Sequence, residues 1–189
     1  MSIDLFAAWV PLEALDITKG ESRGPNGGDA EALLGRVRGW ASSEHRDQQG
    51  DVLVQDGIDW GYFLSKGWFT YEHDRGPDNV IGHPESIEKG ELNGVPATRV
   101  EGVLYLSDPR AKRMFDTSLA MQKSDSGRRL GLSIQGHALA REGKRVIRSR
   151  VLNTGVCAHP VNADMRLEAL ARSLEAADMS KGADVGYQT

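Results

Sequence analysis

The strongest constraint on this chain is a change of text at Arg36, after which runs of β-branched and aromatic residues recur between Gly, Pro, Asp and Asn. GRVRGWAS, GWFTYEH, TRVEGVLYL, RLGLSIQG and KRVIRSRVLNTGVCAH have the composition of strands bounded by turns. Two interruptions read as helices. IDWGYFLS is a short one. DPRAKRMFDTSLAMQ is longer, with Asp108 as N-cap and Pro109 at the first helical position, where a missing N–H costs nothing. Within it Ala111, Met114, Phe115, Ser118 and Leu119 recur at helical spacing and predict a face packed on the core. A last helix is expected from about Asp164 to Ala177, on Leu167, Leu170, Ala171 and Leu174. Alternating β and α units are absent. The expected fold is therefore mainly β with α, a barrel or closed sheet with helices packed outside.

A chain of 189 residues can bury one substantial core and is short for two. KGESRGPNGG, residues 19–28, mixes glycine, proline and charge without apolar periodicity, as a connector does. The expected organisation is an N-terminal appendage and linker over 1–30, one domain over 31–177, and a tail, MSKGADVGYQT with its preceding residue, over 178–189. With 23 Lys and Arg against 27 Asp and Glu, the net charge of -4 lacks the basic surface that displaces counterions from nucleic acid, so no such partner is expected. Cys157 is the only cysteine, which excludes an internal disulfide and suits a reducing compartment. The opening MSIDLFAAWVPLEALDI has no basic n-region and meets Glu13 and Asp16 too early for a spanning helix. Neither export nor a membrane partner is expected, and the protein is expected to be soluble.

Histidine titrates nearest neutral pH, so each one is weighed as a base. His45, in SSEHRDQQGD, belongs to a polar turn. His73 ends GWFTYEH on the alternating face of Phe69 and Tyr71, just before the turn text DRGPDN. That position suits a general base, and it equally suits a capped, half-buried histidine. In RLGLSIQGHA, Leu132 and Ile134 point one way while Ser133, Gln135 and His137 point the other. Gly131 and Gly136 bracket Ser133 and would let a substrate approach closely, as a nucleophile requires. The same pattern fits an ordinary strand serine, and it is not the G-x-S-x-G elbow. His73, Asp74 and His83 are donor types that suit zinc or manganese, but two histidines across a hairpin without a third clear ligand are more often surface polar groups. His83 with Pro84 could instead line a cleft. No phosphate loop is present, and neither a metal nor another cofactor is expected.

Several of these pieces stand in one order: GWASSEHRDQQGDVLV, YEHDRGPDNVIGH, VEGVLYLSDPRAKRMFDTSL, GLSIQG and VLNTGVCAHPVNAD. In that order the chain resembles the phage prohead (capsid maturation) serine proteases, over about Gly35 to Asp164. The likeness is carried by DQQGDV from Asp47 to Val52, by His73 and Asp74 followed by Ile81 and Gly82, by Gly131 to Gly136 with Gln135 inserted, and by Pro160, Val161 and Asn162. The resemblance implies a herpesvirus-protease-like β-barrel surrounded by helices. It implies a serine endopeptidase with Ser133 as nucleophile and His73 as general base. Backbone N–H groups near Ser133 and at Gly155 or Val156, with Gln135, are the implied oxyanion and substrate contacts.

The third catalytic position departs from the family pattern. Phage enzymes carry Glu there and herpesvirus enzymes His, whereas the aligned residue here is Asn153, with His159 as its rival. An amide oxygen can fix the imidazole tautomer but cannot neutralise an imidazolium as a carboxylate does. Along an extended strand the two residues would lie about 20 Å apart, so only one serves. The implied substrates and partners are scaffold protein, major capsid protein and the chain itself, in a homodimer or higher oligomer, inside the procapsid in the host cytoplasm. The alternative is a catalytically weak or inactive protease-fold protein acting as a capsid assembly or scaffold factor, Asn153 marking the decay.

Overall fold

The computed structural model describes residues 5–20, 32–47, 50–72 and 76–158. In chain order they form β1 (Leu5–Gly20), β2 (Ala32–Ser43), β3 (Val52–Leu53), β4 (Ile58–Asp59), α1 (Gly61–Lys66), β5 (Phe69–Tyr71), β6 (Val80–Leu92), β7 (Val95–Tyr105), α2 (Pro109–Lys123), β8 (Gly131–Glu142) and β9 (Arg145–Cys157). The described part is mainly β, with few helices, as the sequence predicts. The strands make one nine-stranded mixed sheet. Antiparallel pairings join β1 to β2, β2 to β7, β7 to β6, β6 to β5, β8 to β9 and β1 to β8. β9 takes β3, β4 and β5 in succession as parallel partners.

Two long strands are absent from the sequence reading. Residues 5–20, expected as an appendage, are a strand of the sheet, which corrects that expectation. Pro11 stands inside this strand, although proline cannot donate to a central ladder. The register resolves the conflict: β1 pairs with β8 through Leu5 to Pro11 and with β2 from Leu12 onward, so Pro11 stands where the partner changes. β6 was hidden by Pro84 and by its charged, exposed residues. The signal that reveals it is Asn93-Gly94, which closes a two-residue hairpin between Leu92 and Val95. Both turn residues have positive φ, 51° and 81°, the geometry that Asn-Gly tolerates and that matches the twist of paired strands.

Both predicted helices within the described residues form where expected. Asp108 caps α2, its Oδ1 accepting from the N–H of Arg110 at 2.7 Å and of Ala111 at 3.3 Å, with Pro109 in the first turn. Ala111, Met114 and Phe115 of α2 enter the same core as Val37, Phe69, Leu104, Leu132, Ile134 and Val156, while Leu119 packs against its margin. Ser118 is buried on the same stripe. The predicted helix over 164–177 and the tail over 178–189 lie outside the described residues. Among the described residues, no helix is long and apolar enough to cross a membrane.

Candidate active site

The face of β8 that carries Ser133 follows from alternation. Leu132 and Ile134 are fully buried in the core, so Ser133 and Gln135 project from the opposite face. On β9, Gly155 lies opposite Ser133 and Asn153 opposite Gln135. Across β9, Thr70 of β5 lies beside Gly155. Ser133, Gly155 and Thr70 therefore form one row over three strands, about 10 Å from end to end at normal strand spacing. On the other flank of β8, Trp9 of β1 is in register with Ser133.

Ser133 is 1% exposed. Its Oγ is buried and has no hydrogen-bond partner among the described residues. Leaving a hydroxyl unpaired away from water costs about 1–3 kcal/mol, so most buried hydroxyls are satisfied. Opposite it, Gly155 contributes no side chain, so the sheet itself offers Oγ neither a donor nor an obstruction from that position. Thr154 Oγ1 is likewise buried and unpartnered, but it belongs to the core face, in register with Phe69 and Ile134.

β5 ends at Tyr71, short of His73. Glu72 leaves the strand in the left-handed region, φ 53°, a conformation uncommon for a residue with a side chain. Two bonds hold it there. The Glu72 N–H donates to Val156 O at 3.1 Å, and Thr70 Oγ1 donates to Glu72 O at 2.9 Å. His73 and Asp74 themselves, like His159, lie outside the described residues. The structure thus assembles Ser133, Gln135, Asn153, Gly155 and Val156 on adjacent strands, and describes the strand that leads to His73.

The individual roles differ from a simple list. Val156 has its side chain fully buried in the core, so only its backbone is available to the site. Asn153 Oδ1 accepts from the N–H of Trp68 at 3.0 Å. The oxygen that could orient an imidazole is therefore engaged in holding the entry to β5, a contact that sequence spacing does not reveal.

Two rival chemistries can be weighed on the same ground. Cys157, opposite Gly131, is buried, and desolvation first, then the Glu72 carboxylate, pushes its thiol up to about 12. It stays a thiol at neutral pH and is a poor nucleophile. His83, from the metal alternative, is on β6, where Nδ1 is 2.7 Å from Tyr105 Oη. Burial pushes the Tyr105 hydroxyl up, so it stays protonated and can donate to the imidazole. Among the described residues, no group of three or more His, Cys, Asp or Glu could hold a metal ion.

No protein-family model matches the chain, and no curated protein matches it. Among solved structures it is similar to the bacteriophage T4 capsid assembly protease gp21, at 13% sequence identity and a TM-score of 0.38, over 82% of this chain and 93% of that one.

Proposed function

We propose that the chain is a prohead maturation endopeptidase that cleaves scaffold and capsid-protein segments, and itself, by a Ser-His mechanism. The observation that carries the reading is the unpartnered Oγ of Ser133, set opposite a glycine on the face away from the core. An imidazole would supply the missing partner and accept the proton as Oγ attacks a peptide carbonyl, then return it to the leaving amine. His73 follows Thr70, the far end of the Ser133 row, by three residues in the chain, and this proposal assigns it the role of that imidazole. The ordered sequence motifs supply the substrate class. The orienting role belongs in this proposal to Asn153, whose oxygen keeps a second lone pair beside the bond from Trp68, with His159 as the alternative.

The finer architecture belongs to the same reading. The pairings run from β1 through β2, β7, β6, β5, β9 and β8, and β8 pairs with β1 again, which supports a barrel without long free edges. Oxyanion stabilisation is assigned to backbone N–H groups near Ser133 and at Gly155 or Val156, with Gln135 beside the substrate. Since Ser133 is 1% exposed, substrate reaches it only after covering atoms move. Dimerisation or confinement in the procapsid is the proposed trigger.

The test is co-expression with a scaffold protein: wild type processes it and Ser133→Ala does not. Continued processing by the variant sinks the mechanism. A second reading, an assembly factor that keeps the fold without the activity, is favoured by the burial of Ser133 and the engagement of Asn153. It prevails if Ser133 resists a phosphonate serine probe in every oligomeric state while the protein still joins procapsids.

A further inference from the structure

Of the five exposed large apolar side chains among the described residues, Tyr62, Leu64 and Trp68 fall in the segment that runs from α1 into β5. Trp68 combines an exposed indole with a backbone clamped on both sides. It is 43% exposed. Its N–H donates to Asn153 Oδ1 at 3.0 Å, and its carbonyl accepts from the Thr154 N–H at 3.0 Å. Gly67, just before it, lies so close to β9 that a Cβ would stand 2.4 Å from Leu152 O, a clash that only glycine avoids. The fold thus fixes the position of Trp68 and leaves its apolar surface in water. An aromatic held this way is preorganised for a ligand, because little backbone entropy remains to be lost on binding.

The register says where that ligand runs. Phe69 is beside Thr154 and faces the core, so Trp68 is beside Asn153 and faces away from it, as Ser133 does. The row of Trp68, Asn153 and Gln135 is one step along the sheet from the row of Thr70, Gly155 and Ser133. Two strand spacings across and two residues along put the Trp68 and Ser133 Cα atoms about 12 Å apart, a length that three to four residues of extended peptide span.

We propose that Trp68 is a specificity-determining residue that receives a large apolar side chain of the peptide about three residues from the bond cleaved at Ser133, and that Asn153 is the positioning residue that holds it there. The assignment rests on Ser133 being the nucleophile, and it gives Asn153 a purpose beside the orienting one.

The experiment measures kcat/KM on peptides that differ only in having Leu, Phe or Ala at that position, together with circular dichroism to show that each variant folds. In Trp68→Ala the preference for Leu or Phe over Ala falls about tenfold, the scale expected of one apolar pocket contact; Trp68→Phe retains most of it. Asn153→Ala lowers the same ratio by less, and Asn153→Asp, which keeps the acceptor oxygen, restores it. A ratio unchanged in Trp68→Ala, with cleavage abolished by Ser133→Ala, overturns the proposal and leaves the protease reading standing. If Asn153→Asp instead leaves the ratio lowered and changes kcat and its pH profile for all peptides alike, Asn153 acts only as the third catalytic member and the positioning role fails. Should the wild type cleave nothing, the protease reading fails, and binding of the labelled Leu peptide decides Trp68 alone: about tenfold weaker binding by Trp68→Ala supports it, and equal binding refutes it.

Discussion

Two buried polar regions of this sheet are built on opposite principles. Around Gln55 every group is answered: Nε2 donates to Ser42 Oγ at 2.8 Å and to Leu53 O at 3.1 Å, and Oε1 accepts from Thr98 Oγ1 at 2.9 Å, all of it buried. At Ser133 the hydroxyl is equally buried and has no hydrogen-bond partner among the described residues. The first region shows what the fold does with a polar group needed for structure. The second is a buried hydroxyl that the described residues leave unpaired. Stability governs one, and reactivity is proposed to govern the other.

The contrast can be broken experimentally, most forcefully at Ser133. Ser133→Ala should reduce proteolysis by about 10⁴-fold or more, the usual cost of losing a nucleophile. Its thermal stability should stay level or rise, because an unpaired hydroxyl has been removed. Chemical denaturation that instead reveals a loss above about 1 kcal/mol would mean that the hydroxyl is bonded in solution, and the contrast would vanish. Gln55→Ala should do the reverse. It strands the Ser42 and Thr98 hydroxyls and should destabilise by about 2–4 kcal/mol, with kcat/KM altered only in proportion to the folded fraction.

Smaller effects sharpen the comparison. Asp108→Ala should cost about 1 kcal/mol by uncapping α2. Burial alone would raise the Asp108 carboxyl, but its bonds to the Arg110 side chain and to the Arg110 and Ala111 N–H groups outweigh this and lower it below 3.8. A carboxylate depressed in the folded state contributes fully above its unfolded value and loses that contribution as pH falls through the lowered one. Acid titration of stability should therefore separate wild type from Asp108→Ala above pH 4 and bring them together in stronger acid. Thr154→Val, which removes the other orphan hydroxyl, should change stability by less than about 1 kcal/mol and leave cleavage rates alone. A large activity loss there would show that an unpaired hydroxyl on this sheet does not mark the reactive face.

What the sequence discloses depends on whether the cause is local. Capping by Asp108, the Pro109 start and the apolar stripe of α2 are decided within one helix, and the sequence reading placed them correctly. β1 takes half of its pairing from β8, distant in the chain, and β6 pairs with its neighbour β7 through a hairpin whose one local sign is Asn93-Gly94, so their charges and prolines masked them. The candidate site divides the same way. Alternation identified the faces of Ser133 and Gln135, whereas the bond between Asn153 and Trp68 joins residues 85 positions apart and leaves no trace in spacing.

β9 has a consequence for timing. It lies between β5 and β8 and also carries β3 and β4, so contacts such as Val52 with Arg145 close long loops whose entropy opposes early pairing. A ribosome delivers Ser133 and the strand leading to His73 before it delivers residues 145–157. Until then β5 and β8 lack the strand that pairs with both of them. On the proposed function, the chemistry is withheld until β9, the last described strand, takes its place between β5 and β8.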